Sequence, residues 1–242
     1  MPITYLRALT APERTRQTNL HLGVSLAFIA GAINAGGFLA VERYTSHVTG
    51  LVSSMADDVA LGEWEMASTG VVALLAFIGG AALSAIQINW ARRNGSRHVC
   101  ALPLLTEAAL LLVFGILGSL HHIVGTQLLV TVGLLCFVMG LQNAMITKIS
   151  HAEIRTTHLT GLVTDMGIEI GKLLYWNAGG PGEARVRANQ DRLRLQSSLV
   201  LAFFVGGVAG AIGFKQFGYA STVPLALALA LLSSVQLLPP RD

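Results

Sequence analysis

Six apolar blocks, each about long enough to cross the hydrocarbon core of a bilayer as an α-helix, constrain this chain most. They cover 20–41, 66–88, 99–119, 125–147, 195–214 and 221–238. Composition agrees: 53% of the 242 residues are hydrophobic, only 12% are charged, and the mean hydropathy is +0.62. An ordinary soluble domain carries about twice that share of charge. The figures exclude disordered, collagen-like and disulfide-scaffold classes. They imply a polytopic membrane protein whose first partner is the lipid bilayer. No basic run with interleaved aromatics is present, so nucleic acid is not an expected partner. Cys100 and Cys136 fall in or beside apolar blocks and read as inert packing residues.

The polar start, 1–19, carries Arg7, Arg14 and Arg16. It invites confusion with a signal peptide, but the apolar stretch that follows outruns a signal core and reads as a retained first span. The positive-inside rule then fixes how many blocks cross. With six crossings and 1–19 inside, 14 of the 16 Lys and Arg residues fall on the cytoplasmic side, and only Arg43 and Lys215 lie outside. Two further segments, 45–62 and 156–173, are amphipathic. Were both to cross, the bias would collapse to nine against seven. They are expected to lie at an interface or to dip in and return. Both termini are then cytoplasmic.

The second constraint is an internal repeat. Thr45–Met55 matches Thr156–Met166 at seven of eleven positions, and the match extends to Asp58 against Glu169. Gly31-Ala32-Ile33-Asn34 resembles Gly140-Leu141-Gln142-Asn143. Phe77-Ile78-Gly79-Gly80 resembles Phe204-Val205-Gly206-Gly207, and Pro103-Leu104 resembles Pro224-Leu225. The expected fold is all-α, with a tail at 1–19 and two three-span repeats, 20–119 and 120–242, in one membrane domain. Each repeat carries one short amphipathic or re-entrant helix. Three crossings is an odd number, so the second copy must be inverted relative to the first. Inverted repeats are a hallmark of secondary transporters.

Within each amphipathic segment the polar residues share one helical face. In the first copy these are His47, Gly50, Ser54 and Asp58; in the second, His158, Gly161, Asp165 and Glu169. Ser46 and Thr157 read as N-caps. Lys172, three residues from Glu169, offers an ion pair. If both segments dip, their polar stripes approach a shared cavity, the setting in which irregular backbone is tolerated at membrane depth. Asn34, His47, Thr49, Asp58, Asn143, His158, Thr160, Asp165 and Glu169 are the expected lining. Glu107 lies about nine residues into the third span, where a charged acid costs roughly 2.5–3.5 kcal/mol on insertion scales. It reads either as a proton relay or as a protonated acid bonded to a nearby Ser or Thr; its repeat counterpart is Ala228. Gly206 and Gly210, like Gly79 and Gly80, favour close helix packing, within the chain or in a homodimer. His121-His122 is an adjacent pair in an outer loop without a third metal ligand nearby.

No nucleophile motif, nucleotide fingerprint or zinc spacing is visible, so neither an enzyme nor a cofactor is expected. The chain resembles the YoaK-like family of small bacterial multi-pass membrane proteins, grouped as a domain of unknown function. The resemblance rests on GAINAGGFLAV at 31–41, TSHVTG at 45–50, GLQNA at 140–144 and RTTHLTG at 155–161, and it spans about Leu20 to Leu238. Members commonly place Asn after the first Thr-Gly, where this chain has Leu51. The resemblance implies a bacterial cytoplasmic-membrane protein with about six spans and no assigned activity. The leading expectation is a secondary transporter or permease for a small solute, with a proton as a candidate coupling ion. A channel, or a non-transporting scaffold or lipid-binding protein, is the alternative. Helix starts at His47 and His158 favour an anion, whereas the acids further along favour a cation or proton.

Overall fold

A computed structural model describes residues 16–41, 44–96, 98–120, 126–150, 152, 154–177 and 185–237. These residues form helices and connections, with no strand among them. The helices are α1 (Arg16–Val41), α2 (Val48–Leu61), α3 (Trp64–Arg93), α4 (Ala101–Leu120), α5 (Thr126–Ile149), α6 (Leu159–Leu174), α7 (Gln190–Phe217) and α8 (Thr222–Leu237). A 3-10 turn, Gly218–Ser221, joins the last two. His121-His122 and residues 1–15 lie outside the described residues.

Five helical stretches are long and apolar enough to cross a membrane: Leu20–Leu39, Trp64–Arg93, Ala101–Leu120, Leu128–Ile149 and Gln190–Ser234. The last runs 45 residues through the 3-10 turn. As one straight helix it would measure about 67 Å, more than twice the hydrocarbon thickness. Gly218 breaks it with φ +57, a left-handed conformation that a side chain resists. Tyr219 in the turn stacks edge-on against Phe114 of α4, with ring centroids 5.5 Å apart.

Large and small side chains are sorted in the way lipid dictates. In α3 the buried residues are small: Ala67, Gly70, Ala73, Gly80 and Ser84, with Ile88 as the large exception. Its large residues Val71, Leu75, Ile78 and Ile86 face outward. α7 buries Leu195, Gln196 and Leu199 near its start, but from there on does the same, burying Gly206 and Gly210 and exposing Leu201, Phe204, Val208 and Ile212. Lipid tails are as apolar as leucine, so large side chains gain little by leaving them, while small ones let backbones touch.

Those small residues define two close helix pairs. α1 packs on α7 and α3 packs on α5. A Cβ on Gly31 would fall inside the Phe203 carbonyl, one on Gly206 inside the Phe28 carbonyl, and one on Gly210 against the backbone of Ala32. In the other pair, Gly140 meets the Phe77 carbonyl and Gly80 meets that of Phe137. The glycines therefore serve contacts within the chain. They also correct the repeat register. Phe77 answers to Phe203 and Gly80 to Gly206, one residue off the match of 77–80 with 204–207. Two adjacent glycines and two adjacent phenylalanines made the slipped alignment look equally good; only one register faces the partner backbone.

Helix directions follow from the same contacts. Gly23 lies by Leu199, Phe28 by Gly206, Ala32 by Gly210 and Gly36 by Phe214, so α1 and α7 run the same way. Gly133 lies by Ala76 and Gly80 by Phe137, so α3 and α5 do too. Gly23 also lies by Ile154 and Gly37 by Leu135, so α1 and α5 run oppositely. α4 and α8 are antiparallel, with Ser233 Oγ donating to the Ala101 carbonyl at 2.9 Å at one end and Gly118 against Tyr219 at the other. The main core gathers Leu22, Leu26, Leu104, Leu111, Leu135, Met139 and Leu199.

Replacing Gly31, Gly80, Gly140 or Gly206 by Ala forces two backbones apart and is expected to cost about 1–3 kcal/mol or more. Gly167 and Gly171 in α6 have open space around them. Their Ala variants are expected to be neutral or to stabilise by roughly 0.5–1 kcal/mol through helix propensity. Thermal unfolding of the detergent-solubilised variants checks both.

Candidate functional site

The site begins with an asparagine in the first helix of each repeat. Asn34 Oδ1 accepts from Ser46 N at 3.2 Å and from Ser46 Oγ at 2.8 Å. Asn143 Oδ1 accepts from Thr157 Oγ at 2.6 Å. Asn34 lies seven residues before the end of α1. Tying Ser46 to it brings the chain back about 10 Å along the helix axis before α2 starts. The same fold-back precedes α6. Ser46 and Thr157 are thus not N-caps. His47 and His158 occupy the cap positions, with no side-chain cap bond, and the hydroxyls before them serve the asparagines.

Each histidine ring lies back over the first turn of its own helix. A Cβ on Gly50 would come 2.5 Å from His47 Nδ1, and one on Gly161 would come 3.2 Å from His158 Cδ2. This explains the spacing His-x-x-Gly in both copies: the glycine makes room for the ring.

The two fold-backs meet at one cavity of about 730 Å³, lined by residues of both repeats. Asn34, His47, Thr49, Asn143, His158 and Thr160 all face it. Phe77 and Phe203, two of the four whose carbonyls take the glycine contacts, line it as well, with Tyr44, Thr147 and Arg155. Sequence reasoning missed these five. The Phe–Gly match carried a signal for the phenylalanines, but in the slipped register. Arg155, which answers to Tyr44 across the repeat, carried none beyond its place beside the motif. Arg155 Nη1 lies 3.3 Å from His158 Nδ1. Arginine only donates, so Nδ1 accepts and the ring proton sits on Nε2.

Arg155 and His158 also wall a second, polar pocket of about 460 Å³, lined by Asp165, Asn189, Arg192 and Gln196. Here the expected acids separate from the cavity. Asp165 Oδ2 accepts from Arg192 Nη2 at 2.8 Å and from Gln196 Nε2 at 3.0 Å. Glu169 accepts from Lys172 Nζ at 2.8 Å, the ion pair its spacing offered, and from the backbone N–H of Asn189 at 2.7 Å. These contacts hold its carboxyl below the usual carboxylate range, Lys172 contributing most. Asp58, on the half-exposed side of α2, is not among the cavity residues. Glu107, 0% exposed, faces the Gln142 amide of α5 rather than a Ser or Thr, and neither group makes a hydrogen bond of good geometry. Cys100 and Cys136 are both buried and lie outside any disulfide.

The repeated motifs that build this cavity lie inside a family model, described as "Protein of unknown function (DUF1275)", that matches residues 22–235. The chain belongs to the DUF1275 family. This is the family in which YoaK-like proteins are grouped. No curated protein and no solved structure matches the chain. DUF1275 carries no activity in its description, so the chemistry of the cavity alone guides the reading.

Two outcomes follow. Asn34→Ala leaves Ser46 N and Oγ without their acceptor, at a cost of about 1–3 kcal/mol. Hydrogen exchange is expected to quicken across 46–50 while 157–161 keeps its protection. The second concerns acid. Glu169 is held below its free value of 4.5 in the folded chain. Its stabilisation is therefore complete above 4.5 and is lost as pH falls through the lower folded value. Unfolding curves taken below pH 4.5 should show this loss, and Glu169→Gln should flatten that part of the pH dependence.

Proposed function

We propose that this protein is a six-span carrier for a small solute, built from two inverted halves, rather than an enzyme or a cofactor-dependent protein. The single observation carrying this reading is the 730 Å³ cavity whose polar wall is supplied twice, once by each repeat. Supporting inversion, α1 and α5 open the two halves yet run in opposite directions, and each pairs with the third helix of the other half. The 3-10 turn within the 45-residue last stretch supports counting α7 and α8 as separate crossings. The fold-back of about 10 Å before α2 and α6 supports two re-entrant helices that enter from opposite faces and meet near mid-depth. The distribution of Lys and Arg supports an orientation with α6, the segment after it and both termini on the cytoplasmic side of the cytoplasmic membrane.

In this reading Asn34 and Asn143 position the re-entrant starts. His47, Thr49, His158 and Thr160 contact solute, and Phe77 and Phe203 narrow the passage. Alternating access rocks the α1–α7 pair against the α3–α5 pair. Asp165 and Glu169 brace α6 on α7, and Asp58 and Glu107 stand away from the solute. A channel would use the same cavity without closing it at either end.

A second reading has its own observation. An open groove of about 880 Å³ between α1, α7 and α8 is lined almost wholly by apolar residues, among them Val24, Phe28, Leu201, Val205, Leu225 and Leu231. It suits an acyl chain and favours a lipid-binding protein.

Cysteine accessibility separates these readings. Thr49→Cys and Thr160→Cys are expected to react with a membrane-impermeant maleimide from water, each from both faces in a carrier that alternates. The buried Cys100 and Cys136 stay silent. Absence of labelling from either face in both variants would leave no wet central cavity and would turn the assignment to the lipid-binding reading.

A further inference from the structure

The starts of two helices supply the cavity with backbone hydrogen-bond donors. The first helical hydrogen bonds of α2 and α6 are Leu51 N to the His47 carbonyl and Leu162 N to the His158 carbonyl. The backbone N–H groups of Val48, Thr49, Leu159 and Thr160 precede those bonds, and all four residues line the cavity. Neither helix carries an acid in its first turn, so neither positive dipole end is compensated. Asn34 gives the independent observation. It is 8% exposed and lines the cavity, and its Oδ1 takes both bonds from Ser46. Its Nδ2 has no acceptor among the described residues.

Charge points the same way. Arg155 lines the cavity, and no described lining residue is Asp or Glu. The acids that could have favoured a cation are spent elsewhere: Asp165 on Arg192, Glu169 on Lys172. Among the cavity-lining residues, Arg155 is also where the repeats differ in charge, Tyr44 standing opposite it.

We infer that the cavity binds a small anion through a carboxylate or other oxyanion group. The converging starts of α2 and α6, Asn34 Nδ2 and the Arg155 guanidinium are its donors. Free N–H groups at a helix start and a guanidinium fork both match oxyanion geometry. The volume leaves room for a carbon skeleton against Phe77 and Phe203. The inference rests on the central cavity being the solute site, and it names the class of solute.

The test is binding by the full-length protein in detergent, which requires no transport. Sodium acetate and sodium phosphate are titrated against sodium chloride at matched ionic strength, reading the unfolding temperature. A saturable rise with an oxyanion, unchanged when choline replaces sodium, is expected. Arg155→Gln should weaken apparent affinity at least fivefold, Arg155→Lys should recover part of it, and Asp58→Asn should leave it intact. Stabilisation by chloride equal to that by acetate and phosphate, or an oxyanion effect untouched in Arg155→Gln, would overturn the proposal. Uptake of labelled acetate and phosphate into proteoliposomes separates the two claims. Binding without uptake keeps the anion site and removes the carrier. Uptake of a neutral or cationic solute with no oxyanion binding keeps the carrier and removes the anion.

Discussion

Backbone touching backbone is the interaction on which everything else here depends. In lipid, helices gain little by burying large apolar side chains against one another. Gly31, Gly206 and Gly210 let α1 and α7 approach until carbonyls and α-carbons meet, and Gly80 and Gly140 do the same for α3 and α5. Each pair joins one helix from each repeat, so neither half completes its packing alone. The residues that ride on these contacts, Phe28, Phe77, Phe137 and Phe203, contribute their carbonyls to the seam. Two of them also turn their rings toward the central space.

The cavity follows from that arrangement. Two tight pairs occupy the middle, and the short helices α2 and α6 pack on α3 and α7. The asparagine clips tie the chain back along α1 and α5 after those helices end. They turn it back, so that a helix start, with its unpaired N–H groups, points into the gap. A polar interior is thus produced from backbone groups, two amides, two imidazoles and a few hydroxyls, with one guanidinium and no carboxylate among the described lining residues. A site lined with buried acids would demand several kcal/mol of desolvation that this one avoids.

Symmetry is broken where chemistry gains from it. Arg155 stands opposite Tyr44, and Glu107 opposite Ala228. The first difference gives the cavity its charge. The second gives the two outer seams different character: Glu107 packs against Gln142 where α4 meets α5, whereas Ala228 lines the open apolar groove beside α1.

Much of this was legible in the residues. The block lengths located the long helices to within a few residues. The doubled Thr-x-His-x-Thr-Gly motif picked out His47, Thr49, His158 and Thr160, and the matched asparagines Asn34 and Asn143 completed six of the residues that share the cavity. The i,i+3 spacing announced the Glu169–Lys172 pair. What the sequence could not hold was rotation about a helix axis. Asp58, Asp165 and Glu169 lie on the same stripe as the histidines, yet a 14- or 16-residue helix extends over 20 Å, so a stripe that begins in a cavity ends far from it. The one-residue slip in the Phe–Gly match has the same origin, because two adjacent identical residues are distinguished only by the surface they meet. Length, hydropathy and repetition are local quantities, and the chain alone determined them. Which donors converge was decided by packing between helices distant in the chain, and which acids are neutralised by the fold of α6 against the chain that follows it.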